Sequence, residues 1–483
     1  MSQFEKEDGK MTNYRWVICA MLFFATLVNY MDRQVLSLTW EGFIAPEFHW
    51  TNKSYGLITG LFSLFYAVSM LFAGRFIDWM DTKKGFLWAI AIWSVGACLH
   101  AFCGIATSGI TTGKWLVGFE GAKEAIGTVN NVGMVISVSV TLFIFARFVL
   151  ALGEAGNFPA AIKATAEYFP KRDRAFATSI FNAGSTIGAL AAPLCIPLLA
   201  QHWGWEMSFI VIGAMGFIWM GFWIFIYKKP EAHPKVNKQE LEYILSDTQE
   251  ETSDTNKKTS FLQCFRYRQT WAFAFGKFMT DGVWWFYLFW APAYLSQVYG
   301  LKLNNANDSR GIIALAVLYA IVMLSLYGGK LPSLIIKKTG KNPYAARMQA
   351  MLIFAFFPLL VLFAQPLGHI SYWIPVVLIG IAGAAHQSWS ANIFSTVGDM
   401  FPKKAIATIT GIGGMAGGIG SLIIQLAAGW LFDYSNETGM QLFGFEGIKA
   451  GYFIVFCLCA VAYLIGWVVM KMLVPRYRVI RDL

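Results

Sequence analysis

Residues 16–34 of this 483-residue chain read WVICAMLFFATLVNYMDRQ, and they decide what kind of fold is available to it. The run from Trp16 to Val28 is almost unbroken in its apolar character, as in a helix that lies in lipid. Asp32 and Arg33 then place an acid and a base where that helix should still be inside the membrane. Because a charge at the bilayer centre costs at least about 2.5–3.5 kcal/mol, the two residues require either a partner or a function.

The composition of the whole chain supports a membrane location. Hydrophobic residues make up 57% of the chain and charged residues only 14%, whereas a soluble domain carries roughly 25% charged residues. The first apolar segment leads into charged residues and not into a small-residue cleavage site, so we expect an anchor helix and no signal peptide. A net charge of +10 is also typical of nucleic-acid-binding proteins, but Lys and Arg collect in the cytoplasmic loops of membrane proteins, so we expect no nucleic-acid partner.

Apolar windows of about 20 residues, the length that crosses a hydrocarbon core of about 30 Å, recur in two groups along the chain. The first group of six lies near 15–38, 55–77, 86–107, 134–158, 175–200 and 205–227. The second group of six lies near 270–296, 311–336, 344–364, 371–396, 405–431 and 449–473. We therefore predict an all-α membrane protein with 12 transmembrane helices in two pseudo-symmetric six-helix halves.

The segments between these windows predict the domain organisation. Residues 228–268 are polar, and we expect them to form a cytoplasmic central loop between an N-terminal half (1–227) and a C-terminal half (269–483) with a short basic tail. Residues 108–133 are too long for a hairpin loop and too polar to cross a membrane. We expect them to form an external insertion with a short helix on the outer surface.

Charge distribution and an internal repeat support this layout. Of the 38 Lys and Arg residues, the loops predicted to be external hold only Lys53, Lys114, Lys123, Lys302, Arg310 and Lys449, which predicts that both termini are cytoplasmic. A shift of 232 positions (400 minus 168) sets YFPKRDRAFAT (168–178) against MFPKKAIATIT (400–410), and Gly188 against Gly420. Such repeats are typical of transporters that hold their substrate between two halves.

The cysteines give no sign of a redox or metal site. They lie mostly inside apolar windows and show no paired ligand spacing, so neither a disulfide framework nor a zinc site is predicted. We expect no cofactor and no metal ion. The seven cysteines are Cys19, Cys98, Cys103, Cys195, Cys264, Cys457 and Cys459.

Ionisable residues inside the predicted membrane helices are the first candidates for a functional site. Arg147 and Glu154 are seven residues apart, so they lie two turns apart on one helix face. A guanidinium binds a carboxylate through two parallel hydrogen bonds, whereas a carboxyl group removed from water takes up a proton more readily. Static ion pairs are the alternative interpretation, either Asp32 with Arg147 or Lys277 with Asp281.

Aromatic and polar side chains extend the candidate site into the second half. Trp284 and Tyr287 belong to an aromatic-rich stretch after Lys277. Such rings stack on the C–H faces of sugars, although they also mark membrane interfaces. HQSWSAN (386–392) places His386, Gln387, Ser388, Ser390 and Asn392 inside an apolar window, and packing between helices explains only one or two of them.

Longer stretches resemble a known family. GRFIDWMDTKKG (74–85) resembles the loop signature of the major facilitator superfamily, although Asp81 stands where that signature usually has Gly. RFVLALGEAGNFPAAIKATAEYFPKRDRAFATSIFNAGSTIGA (147–189) resembles the fourth-to-fifth helix signature of its anion:cation symporter branch. Together with NYMDRQVLS (29–37) and GKFMTDGVWWFYLFWAPAYL (276–295), the pattern is similar to that of bacterial hexuronate transporters over nearly the whole chain.

This resemblance implies proton-coupled uptake of a sugar acid by alternating access. In similar symporters, the acids that match Asp32 and Glu154 are the protonation sites. The residues that match Arg33 and Tyr66 contact the substrate, and the arginine that matches Arg147 pairs with the acids.

The resemblance also bears on the substrate. The polar position of the fifth helix falls at Ser185, near Asn182, where galactonate-type relatives carry Gln. The Asn that those relatives carry in the eleventh helix is replaced here by glycines. This departure favours a hexuronate over galactonate.

We therefore predict a proton symporter of glucuronate or galacturonate, a monomer in the bacterial cytoplasmic (inner) membrane and not an enzyme. An aldonate or another organic anion is the alternative substrate, and sodium is the alternative coupling ion. The predicted external loops hold only scattered acids, which disfavours a membrane enzyme, and a sensor of the same fold would bind without transport. Asp32 and Glu154 are predicted to take up protons, and the predicted substrate-binding residues are Tyr30, Arg33, Tyr66, Arg147, Asn182, Ser185, Lys277, Trp284, Tyr287, His386, Gln387, Ser390 and Asn392.

Overall fold

The computed structural model describes residues 11–246 and 261–480, and these residues are mostly helical. The helices before the central segment are α1 (Arg15–Thr39), α2 (Ala45–Phe48), α3 (Asn52–Met80), α4 (Thr82–Thr112), α5 (Phe119–Gly127), α6 (Val132–Glu154), α7 (Asn157–Tyr168), α8 (Lys171–Trp203) and α9 (Trp205–Ile226). The central segment contains α10 (Lys238–Leu245) and α11 (Phe261–Cys264). Part of the predicted central loop, 247–260, and the last three residues of the basic tail lie outside the described residues.

The second half repeats this pattern of long helices. Its helices are α12 (Arg268–Tyr299), α13 (Arg310–Val322), α14 (Leu331–Thr339), α15 (Pro343–Phe356), α16 (Ala364–Leu367), α17 (Trp373–Met400), α18 (Lys403–Glu437) and α19 (Ile448–Leu473). A π-helical turn (Trp40–Ile44) and 3₁₀ turns (Pro230–Ala232, Met323–Lys330 and Phe357–Phe363) join or precede some of them. β1 (Gln441–Leu442) pairs antiparallel with β2 (Phe445–Glu446) before the last helix, with Gln441 opposite Glu446.

Most of the long helical segments are suited to a bilayer. Within the described ranges, 9 of them are long and apolar enough to cross a membrane. The remaining long segments of the second half are α12, the segment from α13 to α14, and α17. Lys277 and Asp281 in α12 and the HQSWSAN stretch in α17 make these helices less apolar. That all three also cross the membrane stays a prediction.

Helix packing confirms the two pseudo-symmetric halves. In the first half, α1 packs on α8, and α4 packs on α6 and α9. In the second half, α12 packs on α18, and α15 packs on α17 and α19. When the six long helical segments of each half are counted in chain order, the first packs on the fifth, and the third packs on the fourth and the sixth, in both halves. The halves meet where α3 packs on α18, α8 on α13, and α1 on α12.

Gly188 and Gly420, which the 232-residue shift places in register, have the same structural role. A Cβ atom on Gly188 of α8 would collide with the backbone carbonyl oxygen of Leu27 in α1. A Cβ atom on Gly420 of α18 would collide with the backbone carbonyl oxygen of Phe278 in α12. Only glycine allows the two backbones to approach so closely in each half.

The two ends of the helical bundle differ in the segments that they carry. The end that we call the terminal face carries 11–14, 227–237 and 474–480. The other end, the opposite face, carries 113–118, 300–309 and 438–447. At the terminal face, the Tyr14 hydroxyl donates a hydrogen bond to the Ile226 carbonyl at 3.1 Å, and the Ile480 N–H donates to the Met400 carbonyl at 2.8 Å.

Hydrogen bonds join the two halves near the opposite face. The Asp433 carboxylate of α18 accepts hydrogen bonds from the backbone N–H groups of Asn52 (3.0 Å) and Lys53 (2.7 Å) at the start of α3. Further hydrogen bonds there join Ser296 to Glu41 (2.6 Å), Asn304 to the Gly42 carbonyl (2.9 Å), Gln297 to Asn52 (2.9 Å), Tyr55 to the Phe289 carbonyl (2.9 Å) and Gln201 to the Leu303 carbonyl (2.5 Å). Midway along α3 and α18, a hydrogen bond joins Ser63 to Ser421 (2.9 Å).

The 108–133 region contains the short helix α5 and packs on the end of the first half. Lys123 of α5 forms ion pairs with Glu120 at 3.0 Å and with Glu206 at 3.5 Å. Glu206 lies in the first turn of α9. The insertion is therefore tied to the end of a long helix at the opposite face.

Candidate functional site

A buried ion pair between Arg33 of α1 and Glu154 of α6 forms the centre of the candidate site. The Arg33 Nη2 and Nε atoms donate hydrogen bonds to Glu154 Oε2 at 2.7 and 3.0 Å. The resemblance implied that Arg147 pairs with the acids, and the structure differs on this point. Glu154 faces α1 and pairs there with Arg33, whereas Arg147 contacts the Phe62 ring of α3.

Three aromatic rings surround the Arg33 guanidinium. Its Cζ lies 4.6 Å from the Tyr66 ring centroid, 4.9 Å from the Trp285 centroid and 5.1 Å from the Tyr30 centroid. At these distances the ring faces stabilise the cation. Tyr30 and Tyr66 belong to the first half, whereas Trp285 belongs to α12 in the second half. Both halves of the protein therefore contact Arg33.

Asp32 and Arg147 are buried near this pair but have no hydrogen-bond partner within the described residues. Asp32 is 1% exposed, and neither of its carboxylate oxygens accepts a hydrogen bond. The Arg147 Nε and Nη1 atoms have no acceptor, and its Cζ lies 5.0 Å from the Phe62 ring centroid. Most buried polar groups in proteins are hydrogen-bonded. These unpaired donors and acceptors are therefore suited to a polar ligand.

A second group of polar residues lies in the other half. Lys277 Nζ pairs with Asp281 Oδ2 at 2.7 Å, which is the i,i+4 ion pair expected as an alternative to substrate binding. His386 Nδ1 is 2.8 Å from the Tyr463 hydroxyl. The His386 ring stacks on the Trp284 ring with 5.4 Å between centroids and 3° between ring planes.

A small cavity lies between the two groups. Its volume of about 10 Å³ is enough for about one water molecule. It is lined by Tyr30, Ser185, Thr186 and Ala189 from the first half and by Trp284, Tyr319, Val322 and Gln387 from the second. A sugar acid is much larger than this cavity, so binding one there requires the halves to move apart.

Other predicted site residues lie at the edge of this arrangement or outside it. Asn182 is exposed, and its backbone carbonyl accepts a hydrogen bond from the Ser185 hydroxyl at 2.6 Å. The Asn392 amide donates to the Ser388 carbonyl of its own helix at 2.8 Å. Tyr287 is buried beside Cys459 of α19, and Ser390 is half-buried. Their roles in substrate binding stay predictions.

Sequence reasoning did not include Trp285 and Phe62 among the site residues. Trp285 follows Trp284 directly, and a helix turns adjacent side chains by about 100°. Trp284 therefore meets His386, whereas Trp285 meets Arg33. The aromatic-rich stretch after Lys277 indicates that an aromatic ring lies near a charged group, but it does not identify which ring.

The described residues offer no cluster of three or more His, Cys, Asp or Glu side chains that could hold a metal ion. The ionisable groups around the Arg33–Glu154 pair are carboxylates and guanidinium groups of α1 and α6. Two pseudo-symmetric helical halves, with buried charges in the first half that contact the second half through Arg33 and Trp285, have the architecture of a secondary transporter.

Comparison with known proteins gives the family. The Major Facilitator Superfamily model matches residues 22–425, and the chain belongs to this superfamily. The chain is similar to the "Hexuronate transporter" of Escherichia coli, with 29% identity over 431 residues that cover 88% of this chain and 89% of the relative. It is also similar to the "Probable galactarate/D-glucarate transporter GarP" of Escherichia coli, with 25% identity over 92% of this chain and 94% of the relative.

A solved structure has the same fold. The crystal structure of a bacterial homologue of the human lysosomal transporter Spinster, in an inward-facing and occupied conformation, matches with a TM-score of 0.66. The match covers 95% of this chain and 97% of that chain at 18% sequence identity. At this identity the likeness concerns the fold alone.

Proposed function

We propose that this chain transports a sugar acid together with protons across the bacterial cytoplasmic membrane, and that this sugar acid is a hexuronate. The relatives named as hexuronate and galactarate/D-glucarate transporters support the substrate class. The buried group of Asp32, Arg33, Arg147 and Glu154 in the first half, which contacts the second half where Arg33 meets Trp285, supports the mechanism.

The charge balance of this group is the observation that carries the proposal. Two carboxylates and two guanidinium groups have a formal sum of zero when all four are ionised. A substrate carboxylate that enters the group adds one negative charge, and an uncompensated charge in a buried site is costly. One proton taken up by Asp32 or Glu154 restores neutrality. We therefore infer that one proton accompanies each singly charged sugar acid.

The hydrogen-bonding state of the two arginines divides their roles. Arg33 already donates two hydrogen bonds to Glu154, whereas Arg147 has donors without acceptors among the described residues. Arg147 is therefore the group that binds the substrate carboxylate, through parallel hydrogen bonds. Protonation of Glu154 would weaken its ion pair with Arg33. Proton uptake and rearrangement of the site are therefore linked.

The contacts between the halves support alternating access. If the terminal face is cytoplasmic, as the charge distribution predicts, the hydrogen bonds that Asp433 accepts and those that Ser296 and Asn304 donate close the outer side. Because the central cavity is small, transport requires these contacts to break and form in turn. The repeated glycine contacts in α8 and α18 provide closely packed surfaces on which helices can slide.

The test is transport by purified protein in proteoliposomes with labelled glucuronate. We expect Glu154→Gln to retain exchange of labelled for unlabelled glucuronate and to lose accumulation driven by a pH gradient. Glu437→Gln, a variant of an exposed carboxylate at the end of α18, serves as the matched control and should retain both activities. Undiminished gradient-driven accumulation by Glu154→Gln would exclude the proton role of this residue.

The alternative substrates and the alternative ion are separated in the same vesicles. Competition by unlabelled glucuronate, galacturonate, an aldonate and galactarate ranks the substrates. Galactarate carries two carboxylates, so the charge balance predicts two protons for its transport. Accumulation that depends on a sodium gradient and not on the pH gradient would support sodium coupling. Binding without any flux would support a sensor.

A further inference from the structure

A basic cavity lies at the terminal face of the second half, away from the site between the halves. Its volume is about 760 Å³, and it lies between the start of α12 and the segment 474–480 that follows α19. Arg266, Arg268, Arg476 and Arg478 line it, and all four are exposed. No Asp or Glu is among its described lining residues. Four guanidinium groups therefore face one cavity without a neutralising carboxylate in its described wall.

The arginines from 474–480 are held on an ordered segment. The Gln269 amide of α12 donates a hydrogen bond to the Arg478 carbonyl at 3.5 Å. The Tyr477 hydroxyl donates to the Asp399 carbonyl at 3.1 Å, and the Ile480 N–H donates to the Met400 carbonyl at 2.8 Å. These bonds tie the segment to α12 and α17. Arg476 and Arg478 are therefore presented opposite Arg266 and Arg268 by fixed backbone.

Exposed apolar side chains adjoin the cavity. Trp271 is 53% exposed and lies three residues after Arg268 on the same face of α12. Met472 is 73% exposed and directly precedes the lining residue Leu473. Tryptophan is enriched where acyl chains meet headgroups. The cavity therefore combines a basic interior with a rim suited to lipid chains.

We propose that this cavity binds the headgroup of an anionic phospholipid that carries two phosphate groups. Guanidinium groups bind phosphate through parallel hydrogen bonds, and two arginines on each side of the cavity can serve one phosphate each. Basic cavities at the ends of membrane helices bind headgroups of this class. A soluble bisphosphate shares this phosphate chemistry, but it would not use the apolar rim.

Binding is tested on the purified, full-length protein in detergent by native mass spectrometry. The probes are cardiolipin with two phosphates, phosphatidylglycerol with one, zwitterionic phosphatidylcholine, and inorganic pyrophosphate as the soluble probe. We expect cardiolipin to bind most tightly, and Arg476→Gln/Arg478→Gln to weaken it about 30-fold. Lys337→Gln/Lys338→Gln removes the same charge from exposed positions of the same half outside the cavity and should leave cardiolipin affinity within about twofold.

Three results would contradict the binding of a two-phosphate lipid headgroup in this cavity. Equal cardiolipin affinity of Arg476→Gln/Arg478→Gln and Lys337→Gln/Lys338→Gln would show that the cavity is not the site. Equal binding of cardiolipin and phosphatidylglycerol would exclude the two-phosphate headgroup, and pyrophosphate binding as tight as cardiolipin would identify a soluble anion instead. If Arg476→Gln/Arg478→Gln does not fold, Arg476→Lys/Arg478→Lys retains the charge but loses the parallel hydrogen bonds. We expect this variant to bind cardiolipin more weakly than the wild type.

Discussion

The Asp433 carboxylate of α18 caps the first turn of α3 in the other half of the protein. It accepts hydrogen bonds from the N–H groups of Asn52 and Lys53 at 3.0 and 2.7 Å, and the Asn52 side chain donates a further one at 2.9 Å. A carboxylate at a helix N-terminus satisfies unpaired N–H groups and interacts favourably with the helix dipole. This contact therefore stabilises the helix and the closure of the opposite face together.

Loss of the Asp433 carboxylate should open the opposite face. We expect Asp433→Ala to raise the labelling rate of a cysteine placed at Ser296, a buried position in the same contact region, by about tenfold. The measurement is labelling by a membrane-impermeant maleimide in a background in which the exposed Cys195 is replaced by Ser. Asp308→Ala removes a half-buried carboxylate that pairs with Arg310 within the second half and should leave the rate unchanged. Equal rates in both variants would contradict the role of Asp433.

Trp285 should contribute to substrate affinity because it holds Arg33 from the second half. Replacing Trp285 by Ala removes a ring 4.9 Å from the Arg33 Cζ, and a desolvated contact of this kind stabilises a cation by about 2 kcal/mol. We expect substrate binding to weaken about 30-fold. The dissociation constant is measured by calorimetry, because fluorescence itself changes when a tryptophan is lost.

Two variants control for this substitution. Trp285→Phe retains an aromatic face and should recover most of the affinity. Trp271→Ala removes an exposed tryptophan of the same helix and should leave the affinity of the substrate unchanged. If Trp285→Ala and Trp271→Ala bind the substrate equally well, the contact between Trp285 and Arg33 has no part in binding.

Asp81 has a backbone conformation that favours glycine. Its φ of 67° and ψ of 153° lie in a region that costs a non-glycine residue about 1–3 kcal/mol. This is the position at which the family's loop signature usually has Gly. We expect Asp81→Gly to raise the thermal unfolding midpoint in detergent by about 2 °C or more. Its ion pair with Lys229, at 3.4 Å between exposed side chains, contributes little.

Asp81→Ala separates backbone strain from the loss of the ion pair. Alanine keeps the unfavourable φ and removes the carboxylate, so the midpoint should stay the same or fall. A midpoint that rises equally in the alanine and glycine variants would show that the carboxylate, and not the backbone conformation, is destabilising.

Glu240 of the central segment predicts a pH dependence of stability. Burial alone would raise its pKa, but hydrogen bonds from the Arg15 N–H (3.0 Å), the Thr12 hydroxyl (2.6 Å) and the Tyr14 N–H (2.9 Å) outweigh this effect and lower the pKa below its usual 4.5. A group with a lowered pKa in the folded protein stabilises the fold fully above its unfolded-state pKa. This stabilisation is lost as the pH falls through the folded-state pKa.

We therefore expect Glu240→Gln to lower the thermal midpoint by several degrees near pH 7, and this difference from the wild type to shrink below about pH 4.5. Thermal unfolding in detergent between pH 7 and pH 3.5 measures it. Glu242→Gln changes an exposed carboxylate of the same helix and should show little difference at any pH. A constant difference across this range for Glu240→Gln would mean that its hydrogen bonds do not depend on ionisation.

Several features were available from the sequence. The length of each apolar window predicted the long helices, because a membrane core accepts only segments of about that length with their backbone hydrogen bonds satisfied internally. The repeat between 168–178 and 400–410 predicted the two halves, and helix packing confirms them. Charges in apolar segments predicted that Asp32, Arg33, Arg147 and Glu154 would be buried, and they are 1–3% exposed.

Partner choice was decided by the tertiary structure. Helical periodicity states which residues share a face of one helix, but it does not state which neighbouring helix that face meets. Glu154 therefore pairs with Arg33, whereas the resemblance implied Arg147, and Arg33 contacts Trp285, which was not among the predicted site residues. Apolar length follows from the chain itself, whereas an ion pair depends on the rotation and depth of two helices whose packing is set by all the side chains between them.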